Sequence, residues 1–231
     1  MNNVCTVVLL SGGIDSTVCL TKAVAEYDAS EVVALTLYYG QKHERELQSA
    51  ESVAKYFGVK HLIKDLSSVF ELSDAPLLKG SSQDIPEGDY ATQKREANGM
   101  VKTYVPFRNG LFLSYATAIA YSLGAEEVWY GAHADDAAGN AYPDCTPEFY
   151  TAMRAAIARG TGERVWLRAP LLKRNKADIV RTGIQLGAPL HLTWSCYKGG
   201  NKACGKCGTC IDRRKAFEAV GAKDLIEYET E

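Results

Sequence analysis

An apolar run that leads directly into a glycine-rich turn opens the chain and constrains its fold. Residues 4–10 (VCTVVLL) are rich in β-branched residues and do not alternate with polar ones, which is typical of a strand buried on both faces of a parallel sheet. SGGIDS follows at residues 11–16, and a helix is predicted over about 16–26. Glycines allow several backbone N–H groups to face one anion, and a helix N-terminus adds partial positive charge. The sequence therefore predicts a phosphate-binding loop after the first strand.

Strand-like and helix-like segments alternate along the rest of the chain. Further strands are predicted at 32–38, 59–66, 127–132 and 164–172, and further helices at 43–58, 109–123, 146–160, 176–187 and about 211–220. This order predicts an α/β fold with a doubly wound, Rossmann-like parallel sheet over residues 1–190. Residues 191–231 are assigned to a small zinc knuckle and a C-terminal helix.

The stretch 73–103 interrupts this alternation because it is polar and rich in glycine, proline and serine. Its hydrophobic periodicity is too weak to indicate a helix or a strand. Long loops in compact domains are usually functional or disordered. We interpret this stretch as a mobile flap, with an inert insertion as the alternative.

Two other nucleotide-binding motifs fit this chain poorly. The pattern G-x-G-x-x-G of dinucleotide-binding folds is missing. A sequence close to a Walker motif runs from Gly200 to Lys206, but Cys207 follows where that motif needs Ser or Thr, and no strand is predicted before it. The glycine-rich loop after the first strand is therefore the predicted phosphate site.

Charge and composition exclude several classes of protein. The 231 residues carry 26 Lys and Arg against 28 Asp and Glu, a net charge of −2, which argues against direct nucleic-acid binding. No apolar run approaches the roughly 18 residues of a membrane span. The N-terminal residues lack the basic start of a signal peptide, so we expect a cytoplasmic protein.

Four of the seven cysteines lie close together near the C-terminus. Cys196, Cys204, Cys207 and Cys210 have the spacing of four thiolates around one ion, and we predict one structural zinc per chain. An iron–sulfur cluster is the alternative. Six neighbouring cations are expected to offset the negative charge of the thiolates: Lys198, Lys202, Lys206, Arg213, Arg214 and Lys215. The other three cysteines, Cys5, Cys19 and Cys145, are expected to be unpaired thiols.

These motifs together resemble the 7-cyano-7-deazaguanine synthase (QueC) family of the PP-loop ATP pyrophosphatase superfamily. The resemblance covers nearly the whole chain and rests on five places: LSGGIDSTVCL at 10–20, YGQKHERE at 39–46, VPFRN at 105–109, YPDCTPEF at 142–149, and the four cysteines after TWS at 193–195. It implies an adenine nucleotide alpha hydrolase-like fold. It also implies a ligase that converts 7-carboxy-7-deazaguanine and ammonia to the nitrile through two ATP-dependent adenylations. Structural Zn²⁺, Mg²⁺ with ATP and a homodimer are implied too.

Several site residues are carried over by motif or proposed on chemical grounds. The resemblance implies ATP binding by Leu10, Ser11, Gly12, Gly13, Ile14, Asp15, Ser16, Thr17, Val18, Cys19 and Leu20. We predict catalytic roles for Asp15, Lys176, Arg108 and His43. Substrate contacts are predicted for Tyr39, Gln41, Arg108, Tyr142 and Asp144, and Mg²⁺ binding for Asp135 or Asp136.

Each chemical assignment has a structural alternative. Arg108 could cap the following helix, Asp144 could cap the helix that starts at Thr146, and His43 could be a buried structural residue. Lys176 could be an ordinary solvated lysine.

Two departures from the family pattern affect the predicted substrate site. The stretch from Gly131 to Tyr142 is slightly longer than in many members, and Phe107 stands where VPGRN is common. Three other functions therefore stay open: a tRNA thiolase or tRNA ligase of the same superfamily, a relative that uses a different amine, and a non-enzymatic zinc-binding module. The length leaves no room for a glutaminase domain, so free ammonia is the expected nitrogen donor.

Overall fold

A five-stranded parallel sheet forms the centre of the molecule. The computed structural model describes residues 4–90, 93, 100–138 and 141–229. The strands lie in the order β3-β2-β1-β4-β5 and all neighbours are parallel. Their bounds are β1 Thr6–Leu9, β2 Val32–Tyr38, β3 Lys60–Asp65, β4 Glu127–Trp129 and β5 Trp166–Arg168. The chain moves outward from β1 to β3 and then returns to the other side of β1, so the strand order reverses between β1 and β4.

Helices cover both faces of the sheet, which confirms the predicted doubly wound fold. The helices are α1 Ile14–Glu26, α2 Arg45–Phe57, α3 Arg108–Leu123, α4 Ala134–Ala137, α5 Pro147–Gly160, α6 Lys176–Gln185 and α7 Gly208–Ala219. Val8 packs into a core with α1, α2, α6 and α7, whereas Val7 faces the opposite core with α3 and α5. This alternation follows from the two-residue period of a strand.

The observed β5 is shorter than the predicted strand 164–172. Its ladder with β4 ends at the pair Trp129 and Arg168. Pro170 follows, and proline has no N–H to donate to a neighbouring strand. The apolar residues beyond it, such as Leu171, are still buried, so hydrophobicity alone extended the predicted strand too far.

The first part of the 73–103 stretch is attached to the body of the protein. Leu78 pairs with Gln41 in an isolated antiparallel bridge, and Leu77 accepts a hydrogen bond of 2.8 Å from the backbone of Lys42. Leu77 and Leu78 are buried in a small cluster with Tyr39. Residues 91–92 and 94–99 lie outside the described residues, and the flap interpretation stays a prediction.

A buried ion pair stabilises the segment after α6, and this segment packs against the sheet domain through Ala216 and Phe217 of α7. Arg213 on α7 is fully buried, and its guanidinium donates to Asp224 at 2.7 and 2.9 Å. It also donates to the Thr193 hydroxyl at 2.8 Å. Because Asp224 neutralises Arg213, this cation does not serve the cysteine cluster as the sequence predicted. In the ranges that the structure describes, no helix is long and apolar enough to cross a membrane.

Candidate active site

The glycine-rich loop after β1 has a backbone shape that only glycine fits well. Gly12 has a φ of +85°, in the left-handed region. A Cβ at this position would lie 2.4 Å from the carbonyl oxygen of Glu46 and 2.7 Å from the backbone nitrogen of Ala50. The loop therefore lies directly against α2, and the Gly12 carbonyl accepts a hydrogen bond of 2.9 Å from the backbone of Trp194.

Two hydroxyls lie where this loop becomes α1. The Ser16 hydroxyl donates to the Gly13 carbonyl at 3.2 Å and accepts from the Ser11 backbone N–H at 3.1 Å. The Ser11 and Ser16 hydroxyl oxygens are 3.0 Å apart. Gly13 precedes the helix without a side-chain cap. A helix start of this kind offers N–H groups and hydroxyls to an anion.

The side chains of the predicted ATP segment fall into two groups. Those of Leu10, Ser11, Asp15 and Ser16 line a cavity together with Gly13. The remaining side chains are buried in the protein beneath the loop: Ile14, Thr17, Val18, Cys19 and Leu20. The second group therefore holds the loop in place without facing the cavity.

Asp15 and Lys176 form an ion pair beside the loop. The ammonium Nζ of Lys176 lies 2.8 and 2.6 Å from the two carboxylate oxygens of Asp15. His133 Nε2 lies 3.7 Å from Asp15 and 3.3 Å from Asp136. Burial opposes ionisation of Asp15, but Lys176 and His133 outweigh it and hold the pKa of Asp15 below its usual value. Lys176 is thus a positioned cation, since Asp135 also accepts from its backbone N–H at 2.6 Å.

A cavity of about 240 Å³ lies at the carboxyl ends of β1, β2 and β4. This is the point where the strand order reverses, and ligands of doubly wound folds bind at such points. The segments that line the cavity include the glycine-rich loop, the end of β2, α2, the start of α3, the stretch that follows β4, and the segment 194–212. Lys176, Arg108, Tyr39, Gln41 and Tyr142, five of the predicted site residues, are among its walls.

Arg108 is the first residue of α3 and faces this cavity. Its guanidinium donates to the Tyr39 hydroxyl at 3.2 Å and lies 5.0 Å from the centre of the Tyr39 ring. Gln41 is buried and accepts from the Tyr39 backbone at 3.0 Å, so it fixes the chain around the tyrosine. Tyr39 thus orients Arg108, which places a permanent positive charge in the cavity wall.

Phe107, the residue before Arg108, has an unusual backbone conformation. Its φ is +54°, in the left-handed region that bulky side chains avoid. The Phe107 ring lies over Gly110, where an added Cβ would be 2.4 Å from the ring. Phe107 stands where many family members have glycine, and its ring fits here because Gly110, one turn later, has no side chain.

Asp144 and His43 do not line the cavity. Asp144 is buried, and its carboxylate accepts from the Asn109 backbone at 2.9 Å, so it caps α3 and not α5. The cap of α5 is Thr146, whose hydroxyl accepts from Phe149 at 3.1 Å. His43 packs against Gly199 so closely that an added Cβ would be 2.2 Å from the His43 Cβ. Substrate binding by Asp144 and proton transfer by His43 stay predictions.

Three tyrosines from distant parts of the chain meet at the cavity wall. The hydroxyls of Tyr90 and Tyr197 are 2.9 Å apart, and those of Tyr142 and Tyr197 are 3.5 Å apart. Tyr90 belongs to the 73–103 stretch and Tyr197 follows the first clustered cysteine. Gly88 also donates to the Lys206 carbonyl at 3.0 Å. The 73–103 stretch and the cysteine-rich segment therefore enclose one side of the cavity together.

Some cavity residues were not singled out from the sequence: Glu46, His133, Trp194, Ser195, Tyr197, Thr209 and Asp212. Glu46 lies in the motif YGQKHERE, and Trp194 and Ser195 lie in TWS, so these two motifs were the sequence signals for them. The others are brought to the cavity by packing of the C-terminal segment and by the turn after β4.

The four clustered cysteines converge as predicted. Their sulfur atoms all lie within 4.8 Å of one another, and all four residues are buried. Backbone N–H groups point at the sulfurs: Lys198 and Cys204 donate to Cys196, and Lys206 and Cys207 donate to Cys204, at 3.3 to 3.4 Å. Such donors stabilise thiolates, and four thiolates suit a tetrahedral metal ion. None of the seven cysteines forms a disulfide.

Comparison with known proteins identifies the family. A family model described as "Queuosine biosynthesis protein QueC" matches residues 5–221. The 7-cyano-7-deazaguanine synthase of Caldicellulosiruptor saccharolyticus is 45% identical over 97% of this chain and 96% of its own length. The protein of that name from Thermoplasma acidophilum is 44% identical over 96% of this chain and 91% of its own.

A solved structure supports the fold independently. The NMN synthetase from Francisella tularensis has a TM-score of 0.50 at 18% identity, with 96% of this chain and 79% of that chain covered. At this identity the likeness shows the fold alone. The glycine-rich loop, the four-cysteine cluster and the relatives over nearly full length lead to one conclusion: the chain belongs to the QueC family of 7-cyano-7-deazaguanine synthases.

Proposed function

We propose that this protein is an ATP-dependent carbon–nitrogen ligase that makes 7-cyano-7-deazaguanine from 7-carboxy-7-deazaguanine and ammonia, in queuosine-type nucleoside biosynthesis. The observation that carries the proposal is that the loop 11–16, Lys176 and Arg108 all face one cavity in a chain of this family. The loop and Lys176 suit a triphosphate, and Arg108 suits a carboxylate. A site with both is equipped to join ATP to an acid.

The first half of the reaction makes the carboxylate reactive. A carboxylate oxygen of the substrate attacks the α-phosphorus of ATP, the bond to the β-phosphate breaks, and pyrophosphate leaves. The N–H groups of the loop, the Ser11 and Ser16 hydroxyls and Lys176 would stabilise the charge that develops on pyrophosphate. Ammonia then attacks the acyl carbon, the bond to AMP breaks, and the amide forms.

The second half repeats this chemistry on the amide. The amide oxygen attacks the α-phosphorus of a second ATP, and pyrophosphate leaves. Loss of two protons from nitrogen, with departure of AMP, then leaves the nitrile. Arg108 would first hold the carboxylate and then face the amide oxygen, and its hydrogen bond to Tyr39 would keep the guanidinium fixed through both halves. Tyr39, Gln41 and Tyr142 are the proposed walls of the substrate site.

Two metals belong to the proposal, at different places. Zn²⁺ would be held by Cys196, Cys204, Cys207 and Cys210, where it would supply only structural stability. Mg²⁺ would accompany ATP and neutralise phosphate charge. Asp136 lines the cavity, whereas Asp135 caps the backbone of Lys176, so Asp136 is the better carboxylate for it.

The decisive test is incubation of the protein with ATP, Mg²⁺, ammonia and 7-carboxy-7-deazaguanine, followed by mass spectrometry. We expect the nitrile, with AMP and pyrophosphate released. In a parallel reaction with added tRNA, AMP transfer to tRNA without consumption of the carboxylate would overturn the proposal in favour of a tRNA-modifying enzyme. An adduct with an added organic amine, and none with ammonia, would favour a different acceptor. We also propose a homodimer that does not bind tRNA, and sedimentation of the protein alone and with added tRNA tests both points.

A further inference from the structure

The proposed reaction must remove protons from the substrate nitrogen, and the residues assigned to the phosphates do not do this. Ammonia carries three hydrogens on nitrogen and a nitrile carries none, so three protons must leave one nitrogen. One proton leaves when the amide forms, and two leave when the adenylated amide collapses to the nitrile. Each loss is faster when a side chain in the cavity accepts the proton.

Most acidic and basic groups of the cavity already have a partner. Asp15 is paired with Lys176, and Asp136 lies 3.3 Å from His133. Asp212 interacts electrostatically with Lys176 and Lys215 and with Asp135 and Asp136. These neighbours place Asp212 on the phosphate side of the cavity. A base for the substrate nitrogen is needed away from that side.

Glu46 meets this need. It lies in the first turn of α2, where its backbone packs against Gly12, and it lines the cavity with its neighbour Leu47. Its carboxyl interacts electrostatically with Arg108 and Tyr39, the residues proposed for the substrate side of the cavity. Over the residues that the structure describes, its carboxyl makes no hydrogen bond and no ion pair within contact distance. The group is therefore free to bind a ligand in the cavity.

We propose that Glu46 is the base that removes protons from the substrate nitrogen during amide and nitrile formation; this rests on the proposed ligase function. In the last step an N–H proton moves to the Glu46 carboxylate, the nitrogen electron pair completes the C≡N bond, and the carbon–oxygen bond to AMP breaks. The carboxyl then returns its proton to water.

The charges around Glu46 suit this task. Burial raises the pKa of Glu46 to about 7, against the opposing effect of Arg108. Tyr39 is the other titratable group that faces it, and burial raises the pKa of Tyr39 to about 12, so Tyr39 stays neutral. The carboxyl can thus exchange a proton near neutral pH, whereas an exposed glutamate would be too weak a base.

The test uses the full-length enzyme and starts from the amide, 7-carbamoyl-7-deazaguanine, because this half-reaction needs no ammonia. For Glu46→Gln we expect kcat to fall about 100-fold with little change in the KM of the amide. Wild-type kcat should rise as the pH passes through about 7, the pKa of Glu46. The kcat of Glu46→Gln should not show this rise. Glu44→Gln is the matched control, since Glu44 is exposed on the same helix start and forms a surface ion pair with Lys79 at 3.2 Å.

A second measurement separates catalysis from folding and from ATP binding. Carboxylate-dependent exchange of pyrophosphate into ATP reports adenylation, which removes no proton from nitrogen, so Glu46→Gln should keep the wild-type rate. Loss of this exchange in Glu46→Gln contradicts the proposed role of Glu46, and so does an unchanged kcat. The role is also contradicted if Asp212→Asn, and not Glu46→Gln, removes the rise of kcat with pH. Failure of the wild-type enzyme in both assays would contradict the proposed ligase function itself.

Discussion

The ammonium of Lys176 lies 2.6 Å from Oδ2 of Asp15, although 161 residues separate the two in the chain. This contact joins the start of α6 to the start of α1, and it fixes a cation in the cavity that Ser11 and Ser16 also line. For Lys176→Met we expect kcat/KM for ATP to fall about 100-fold, because one charge that stabilises the leaving phosphate is lost. Steady-state kinetics at saturating deazaguanine measure this.

The same variant tests the stability that the ion pair contributes. Since the pKa of Asp15 is lowered in the folded state, its contribution is present above the ordinary pKa of about 3.9 and is lost as pH falls through the lower folded value. The free energy of unfolding of Lys176→Met should therefore fall less between neutral and acidic pH than that of the wild type. Arg181→Met removes an exposed ion pair on the same helix and serves as the control. Parallel pH profiles for Lys176→Met and the wild type would contradict the assignment.

Gly12 should tolerate no side chain. Alanine there would bring a Cβ within 2.4 Å of the Glu46 carbonyl, and we expect a loss of about 2 kcal/mol of stability together with weak ATP binding. Gly58→Ala is a matched control because Gly58 also has a positive φ, +66°, but has nothing within 4 Å of the added Cβ. Urea unfolding and ATP titration should separate the two variants. Equal losses would mean that backbone strain, and not contact with α2, limits the loop.

Metal removal should reach the ATP site through Trp194. This residue is buried next to the cysteine cluster, its backbone donates to Gly12 at 2.9 Å, and Arg45 lies 4.8 Å from its ring centre. We expect one zinc per chain by elemental analysis, and a strong chelator should change tryptophan fluorescence and weaken ATP binding together. Visible absorbance of the purified protein would instead indicate an iron–sulfur cluster. Cys19→Ser leaves the cluster intact and should keep the zinc.

Phe107 and Gly110 should behave as a coupled pair. Gly110→Ala places a Cβ 2.4 Å from the Phe107 ring, so it should cost about 1–3 kcal/mol of stability by overpacking. Phe107→Gly removes both the ring and the strained φ of +54°, and in that background Gly110→Ala should be nearly neutral. A double-mutant cycle by denaturant unfolding measures the coupling. Additive effects would show that the ring moves away at no cost.

The sequence predicted the features that depend on neighbours along the chain. The loop 11–16 and the four cysteines were found because turn geometry and metal ligation require particular residues at short spacing. Glu46 and Tyr197 were missed because their roles depend on which distant elements pack around the cavity. Asp144 shows the same limit, since its short sequence distance to Thr146 suggested a cap for α5, whereas the fold brings it to Asn109 on α3.

The hydrogen bond from Trp194 to Gly12 also has a consequence for the order of events during synthesis. The ribosome makes the glycine-rich loop well before it makes the cavity wall from 194 to 212. A nascent chain that stops before Trp194 has the loop without its support and without Tyr197, Thr209 and Asp212. The complete cavity around the loop can therefore form only after residues 194–212 have been made.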